Sequence, residues 1–177
     1  MLTERFNPLK SDRLRTIFRS LKYRNYRLFF SGQGISLIGT WMQRIAMPWM
    51  VYNITGSVFL LGVVGFAGQI PTFILSPFTG VLTDRWNRYH VLIVTQILAM
   101  LQALFLTWLI FFGTIELWHI VLLSVLLGCI SAFDIPARQS FVVDLVEKKE
   151  DLGNAIALNS LMFNGARIIG PSLKNNR

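Results

Sequence analysis

Long uncharged stretches alternate with short polar breaks along this chain. From Ile45 to Thr83 there is no Asp, Glu, Lys or Arg, and from Val91 to Phe112 there is none either. Runs of about 18 or more apolar residues read as membrane-spanning helices. Two of the breaks, Asn53-Ile54-Thr55-Gly56 and Gly113-Thr114-Ile115-Glu116, are tight turns. The third, Gly80 to Arg88, is a charged island. The pattern predicts four transmembrane helices at about 28–52, 57–82, 91–112 and 117–135. At about 1.5 Å per residue each is about 28–39 Å long, enough to cross a hydrocarbon core of about 30 Å.

Residues 136–153 are the longest polar connection. Phe141, Val142, Leu145, Val146 and Leu152 recur at helical spacing against Asp144, Glu147, Lys148 and Lys149. With Pro136 in its first turn, this stretch predicts an amphipathic linker helix on the cytoplasmic face. A fifth membrane helix, short or truncated, follows at 154–173, and 174–177 form a polar tail. The fold class is therefore an all-α membrane protein whose solvent is the lipid bilayer.

Composition agrees: 53% of the residues are hydrophobic and 15% charged, against about 25% charged in soluble domains. The basic segment 1–27 is too long for a signal peptide head, and the apolar run after it far exceeds a signal core of about 7–15 residues. That segment holds Arg5, Lys10, Arg13, Arg15, Arg19, Lys22, Arg24 and Arg27. The first and third turns hold no Lys or Arg, whereas the second holds Arg85 and Arg88 and the fourth Arg138, Lys148 and Lys149. The positive-inside rule then puts the N-terminus of a multi-pass membrane protein in the cytoplasm. Trp49, Trp108 and Trp118 fall where an outer aromatic belt lies, while Trp41 sits deeper and fits core packing as well. The pI of about 10.3 does not argue for nucleic acid, because nearly half of the basic residues abut a membrane span. A single cysteine, Cys129, excludes an intramolecular disulfide, and His90 and His119 stand apart, so no metal or cofactor site is expected. No nucleophile–base pair or phosphate loop supports an enzyme.

Two arginines are out of place. Arg44 lies about 12 Å inside the first span, where burying a cation costs about 2.5–3.5 kcal/mol. It meets either an anionic substrate or proton-carrying carboxylate, or it snorkels or forms a structural pair. Gln33 and Gln43 on the same helix are candidate cavity residues or interhelical hydrogen-bond formers. Arg167 is the second, in the fifth span beside Gly165, Gly170 and Pro171. In the island, Gly80 permits close helix approach, Asp84 suits the amides of a helix N-terminus, and Arg85 and Arg88 suit carbonyls, lipid phosphates or a carboxylate. Asp134 and Arg138 form an i,i+4 pair at the cytoplasmic end of the fourth span, from which they can join Asp84.

The island, Gly80-Val-Leu-Thr-Asp84-Arg85-Trp-Asn-Arg88, resembles the signature of the major facilitator superfamily between helices 2 and 3. Asn87 stands where Gly is usual and Tyr89 where a second basic residue is usual; Asn tolerates a left-handed backbone. Met47–Ser57, Ala132–Val146 and Asn154–Pro171 resemble the drug- and siderophore-exporter branch, including enterobactin-exporter-like proteins. The resemblance implies the N-terminal part of a two-half transporter with a small-molecule substrate bound between halves, the island acting as a cytoplasmic latch. It implies proton-coupled efflux too, although the fourth span, 117–133, lacks the arginine many such antiporters carry there. Gly165, Gly170 and Pro171 resemble the helix-5 motif of exporters, packing on helix 1 at Gly32, Gly34 and Gly39. Lys174-Asn175 stand where that motif has Gly-Gly, so the expectation is an incomplete chain that lacks its C-terminal half and moves no substrate alone. A truncated inactive remnant and a membrane-embedded binding or regulatory subunit remain open alternatives.

Overall fold

A computed structural model describes residues 19–146 and 149–172. Among them the regular structure is helical throughout. A single 3₁₀ turn, Arg19–Lys22, leads into α1 (Arg24–Thr55), α2 (Val58–Arg85), α3 (Arg88–Phe111), α4 (Leu117–Asp144) and α5 (Lys149–Ser172). Three of these, α2, α3 and α4, are long and apolar enough to cross a membrane. At 32 residues α1 has length to spare. It carries Gln33, Ser36, Thr40, Gln43 and Arg44, which lower its apolar content.

Local chemistry sets the ends. Gly56 closes α1 with φ 66°, a left-handed backbone that favours glycine, and its N–H donates to Tyr52 O at 2.7 Å. The Ser57 hydroxyl then accepts from Leu60 N and caps α2. Asn87 Oδ1 accepts from Tyr89 N at 3.0 Å and caps α3. The asparagine expected to hold a left-handed turn is therefore an extended N-cap, at φ −68°. Asp84 lies in the last turn of α2, 3.9 Å from Arg88 at the start of α3. Gly113, at φ 67°, turns the chain out of α3. His119 Nδ1 accepts from the Glu116 N–H at 3.1 Å at the start of α4, which gives that histidine a capping task.

The largest departure from the sequence pattern concerns 136–153. Residues 136–144 prolong α4, with Pro136 inside the helix, and α5 begins at Lys149, so 136–144 form no separate linker helix. The apolar positions read as a surface stripe are core contacts: Val142 is buried with Tyr26, Ala155 and Leu158.

The bundle is organised around α4, which buries residues along its whole length, from Ile120 to Val142. At the far end of the bundle Met47, Val51, Val64, Leu106, Leu109, Ile120 and Leu123 form one cluster; at the near end Tyr26, Val142, Ala155 and Leu158 form another. Without a hydrophobic drive between helices in lipid, small residues that let backbones approach become decisive. The tightest approach joins α2 to α4. A Cβ on Gly128 would stand 2.5 Å from Gly68 O, and Thr72 Oγ1 donates to Gly128 O at 2.9 Å across the same contact. On α1, Gly34 faces Met162 of α5, whereas a Cβ on Gly32, Gly39, Gly80 or Gly165 would meet nothing within 4 Å. The close approaches expected at Gly80 and Gly165 are therefore not made among the described residues. Outer faces carry large exposed apolar side chains, Phe73 at 82% among them, as a lipid-facing surface requires.

The N-terminal turn is clasped to α5. Ser20 N and Oγ donate to Asn154 Oδ1, Ser20 Oγ also reaches Asp151 O, and Tyr26 OH donates to Ala155 O. The Asp151 carboxylate, 3.3 Å from Lys22 Nζ, raises the lysine above its ordinary pKa.

Gly128→Ala should lower the melting temperature of the detergent-purified protein clearly, because overpacking costs roughly 1–3 kcal/mol. Gly62→Ala, in open space on α2, should leave it unchanged or raise it slightly. Equal melting temperatures for the two would remove the glycine contact from its organising role.

Candidate functional site

Gln33, Ser36, Thr40 and Arg44 follow one another on α1 at spacings of three and four, so they share a single face. That face opposes Thr95 and Gln96 of α3 and Ser131, Asp134 and Arg138 of α4, with Trp41 and Phe163 closing the α5 side of the cleft. The cleft encloses about 40 Å³. A second, of about 190 Å³, shares Trp41 and Arg44 and runs to Gly65, Gly68 and Gln69 of α2.

Hydrogen bonds knit the lining together. Asp134 Oδ1 accepts from Gln96 Nε2 at 3.0 Å and from Thr95 Oγ1 at 3.3 Å. Ser36 Oγ donates to Gln96 Oε1. Arg44 donates to Ser131 Oγ at 2.9 Å, and its guanidinium lies 5.4 Å from the centre of the Trp41 ring. Arg138 is 4% exposed, stands 3.8 Å from Asp134 Oδ2, and lies over Phe163 at 5.5 Å. Trp41 and Phe163 meet edge to face at 5.5 Å. Cations over aromatic faces, with a buried carboxylate near one of them, are how this bundle accommodates charge away from water.

The candidates from the sequence divide. Gln33 and Arg44 line the cleft. Gln43 instead donates to Gln102 Oε1 at 2.6 Å, and Gln102 donates on to Leu123 O, an interhelical brace. Exposed Arg167 reaches the Trp41 ring at 5.6 Å from the α5 side. Gly170 and Pro171 continue α5, and their packing, like the 174–177 tail, lies outside the described residues. Asp134 and Arg138 belong to the cleft and not to the island, which is a correction to their expected union with Asp84. The island has its own partner, Asp144: Arg88 NH1 lies 2.7 and 2.8 Å from its two carboxylate oxygens and NH2 lies 3.9 Å from Asp84 Oδ1. Asp144 sits six residues, or about 9 Å along the helix, beyond Arg138. Asp84 and Arg85 are exposed beside it. Thr95, Gln96, Ser131 and Asp144 were missed at the sequence level; polar residues at intervals of three or four within apolar helices were the available signal for the first three.

A family model described as transmembrane secretion effector, of the major facilitator superfamily, matches residues 15–175. The chain belongs to that family. The staphyloferrin A transporter of Staphylococcus aureus is 28% identical over 148 residues, covering 83% of this chain and 37% of the relative. Macrolide efflux protein A of Streptococcus pyogenes is 25% identical over 156 residues, covering 86% and 38%. The multidrug efflux pump Tap of Mycolicibacterium fortuitum is 24% identical over 147 residues, covering 81% and 34%. The chain thus spans a little over a third of the length of these curated relatives. No solved structure matches it.

In this facilitator chain the Asp134 carboxylate is partly buried, at 14% exposure, against the buried Arg138, so its loss is not neutral. Asp134→Leu should sharply reduce folded yield, because removing one partner of a buried pair costs about 3–5 kcal/mol. Asp134→Asn preserves an acceptor for Gln96 and Thr95 and should fold with a modestly lower melting temperature. Monodisperse yield by fluorescence-detected gel filtration separates the two, and equal yields would show that the pair carries no structural weight.

Proposed function

We propose that this chain forms the first five helices of a major facilitator exporter that moves small amphiphilic molecules, of the drug or siderophore kind, out of a bacterial cell. The carrying observation is the arginine-containing cleft among α1, α3, α4 and α5, a hydrogen-bonded polar interior within otherwise apolar helices. The activities of these relatives, siderophore transport and macrolide or multidrug efflux, support the same reading. Facilitators bind substrate near the bilayer midplane between two halves, and on this reading the cleft is the N-terminal half's share of that cavity. Export is driven by the proton gradient.

Four helices, α1 to α4, span the inner membrane, with the N-terminus in the cytoplasm. The longest and most polar of them, α1, crosses with its polar stripe turned inward onto α3 and α4. The island Gly80, Asp84, Arg85 and Arg88 serves as the cytoplasmic latch. Arg88, held by Asp144, is its fixed part, and the exposed Asp84, at 69%, is free to engage a surface beyond this bundle.

Reporter fusions at Thr55 and Glu116 should lie outside the cell and one at Asn87 inside; an outside Asn87 would overturn the orientation. Loss of the gene in its host should raise intracellular retention of amphiphilic compounds, with a siderophore-type chelator and a macrolide in the panel, at least twofold. A protonophore should erase that difference. Unchanged retention across the panel would sink the exporter reading.

A further inference from the structure

Arg138 is a buried charge with unpaired donors. It is 4% exposed, yet its Nε and NH1 have no hydrogen-bond partner among the described residues. Its contact with Asp134 is 3.8 Å, longer than a hydrogen bond. A guanidinium offers five N–H donors in a planar fork that matches a carboxylate, and burying those donors unpaired is costly. The side chain also borders a second cleft of about 180 Å³, lined by Gln139, Asn159, Ser160 and Asn164, with no acidic residue in its lining.

The charge balance of the two clefts is one-sided. Arg44 and Arg138 face Asp134 alone. Asp134 Oδ1 already accepts two hydrogen bonds from Gln96 and Thr95. Arg167 adds a further positive charge against Trp41. Three arginines and one carboxylate leave a net charge of +2 around the aromatic pair Trp41 and Phe163. An ammonium group entering there meets repulsion strengthened by the low dielectric. An organic anion meets free planar donors, with ring surface for its apolar part.

We propose that the cleft selects small amphiphilic organic anions bearing carboxylates, held by Arg138 with Arg44 as second contact, and rejects cationic amphiphiles. The inference rests on the exporter reading and sharpens its substrate class. Asp134 stands beside Arg138 NH2, so the unpaired Nε and NH1, on opposite sides of the guanidinium, remain to donate singly to ligand oxygens.

The test uses the purified chain in lipid nanodiscs and two probes with one fluorophore, dansyl-glutamate as dianion and dansyl-cadaverine as cation, read by energy transfer from tryptophan. Dansyl-glutamate should bind at least tenfold more tightly, and its affinity should fall as salt rises. Arg138→Lys, which retains the charge and loses the fork, and Arg44→Gln should each weaken it about tenfold, while Arg24→Gln on the exposed start of α1 should not. Circular dichroism and gel filtration check each fold, and Arg44→Gln carries the test if Arg138→Lys does not fold. Equal or tighter binding of the cation overturns the proposal, as does failure of dansyl-glutamate to bind, or anion affinity unchanged within twofold in the folded variants. A preference for the cation would leave the exporter reading standing, since gene loss tests that separately.

Discussion

A guanidinium inside a bilayer has no water to turn to, and the arrangement of this bundle follows from supplying substitutes. Arg44 and Arg138 cannot deprotonate readily, so protein groups must take the place of solvent. Ser131, Asp134, Trp41 and Phe163 do so from three different helices. This explains why α1, the least apolar of α1 to α4, still packs within the bundle: its polar stripe is turned onto α3 and α4. The helix that satisfies most of these demands, α4, is also the one buried along its whole length.

Glycine contacts and polar contacts divide the work of holding the helices together. Between α2 and α4, Gly68 and Gly128 bring two backbones into direct contact, and Thr72 fastens them. Between α1 and α3, glutamines at both ends of the interface bridge the helices, Gln96 to Ser36 and Gln43 to Gln102. Geometry that depends on a missing side chain is rigid, and geometry that depends on amides tolerates small rotations. The α2–α4 seam is thus held by backbone contact, and the α1–α3 seam by side chains reaching across.

Much of this was legible in the sequence, and the failures have physical causes. The uncharged runs located α2, α3 and α4 within three residues at every end but the last of α4, because bilayer thickness fixes the length of an apolar run. Arg44 announced itself as a charge out of place. The linker helix was misread because an amphipathic stripe looks the same whether its apolar face meets lipid headgroups or Tyr26 and Leu158. Asp134 and Arg138 read correctly as a pair and wrongly as part of the island, since i,i+4 spacing says nothing about depth. Gly128, the tightest of the described glycines, is one glycine among 13, and only its neighbour Gly68 distinguishes it.

The bond from Arg44 to Ser131 crosses 87 residues of sequence, which has a consequence for biogenesis. At roughly 5–20 residues per second, ribosomal synthesis separates the two side chains by about 4–17 seconds. During that interval α1 has emerged while the hydroxyl that meets its arginine has not been made. The clasp between Ser20 and Asn154 completes later still, with 134 residues between its ends. Among the described helices α1 is thus the earliest made, and its polar contacts are complete only once α4 and α5 have followed it.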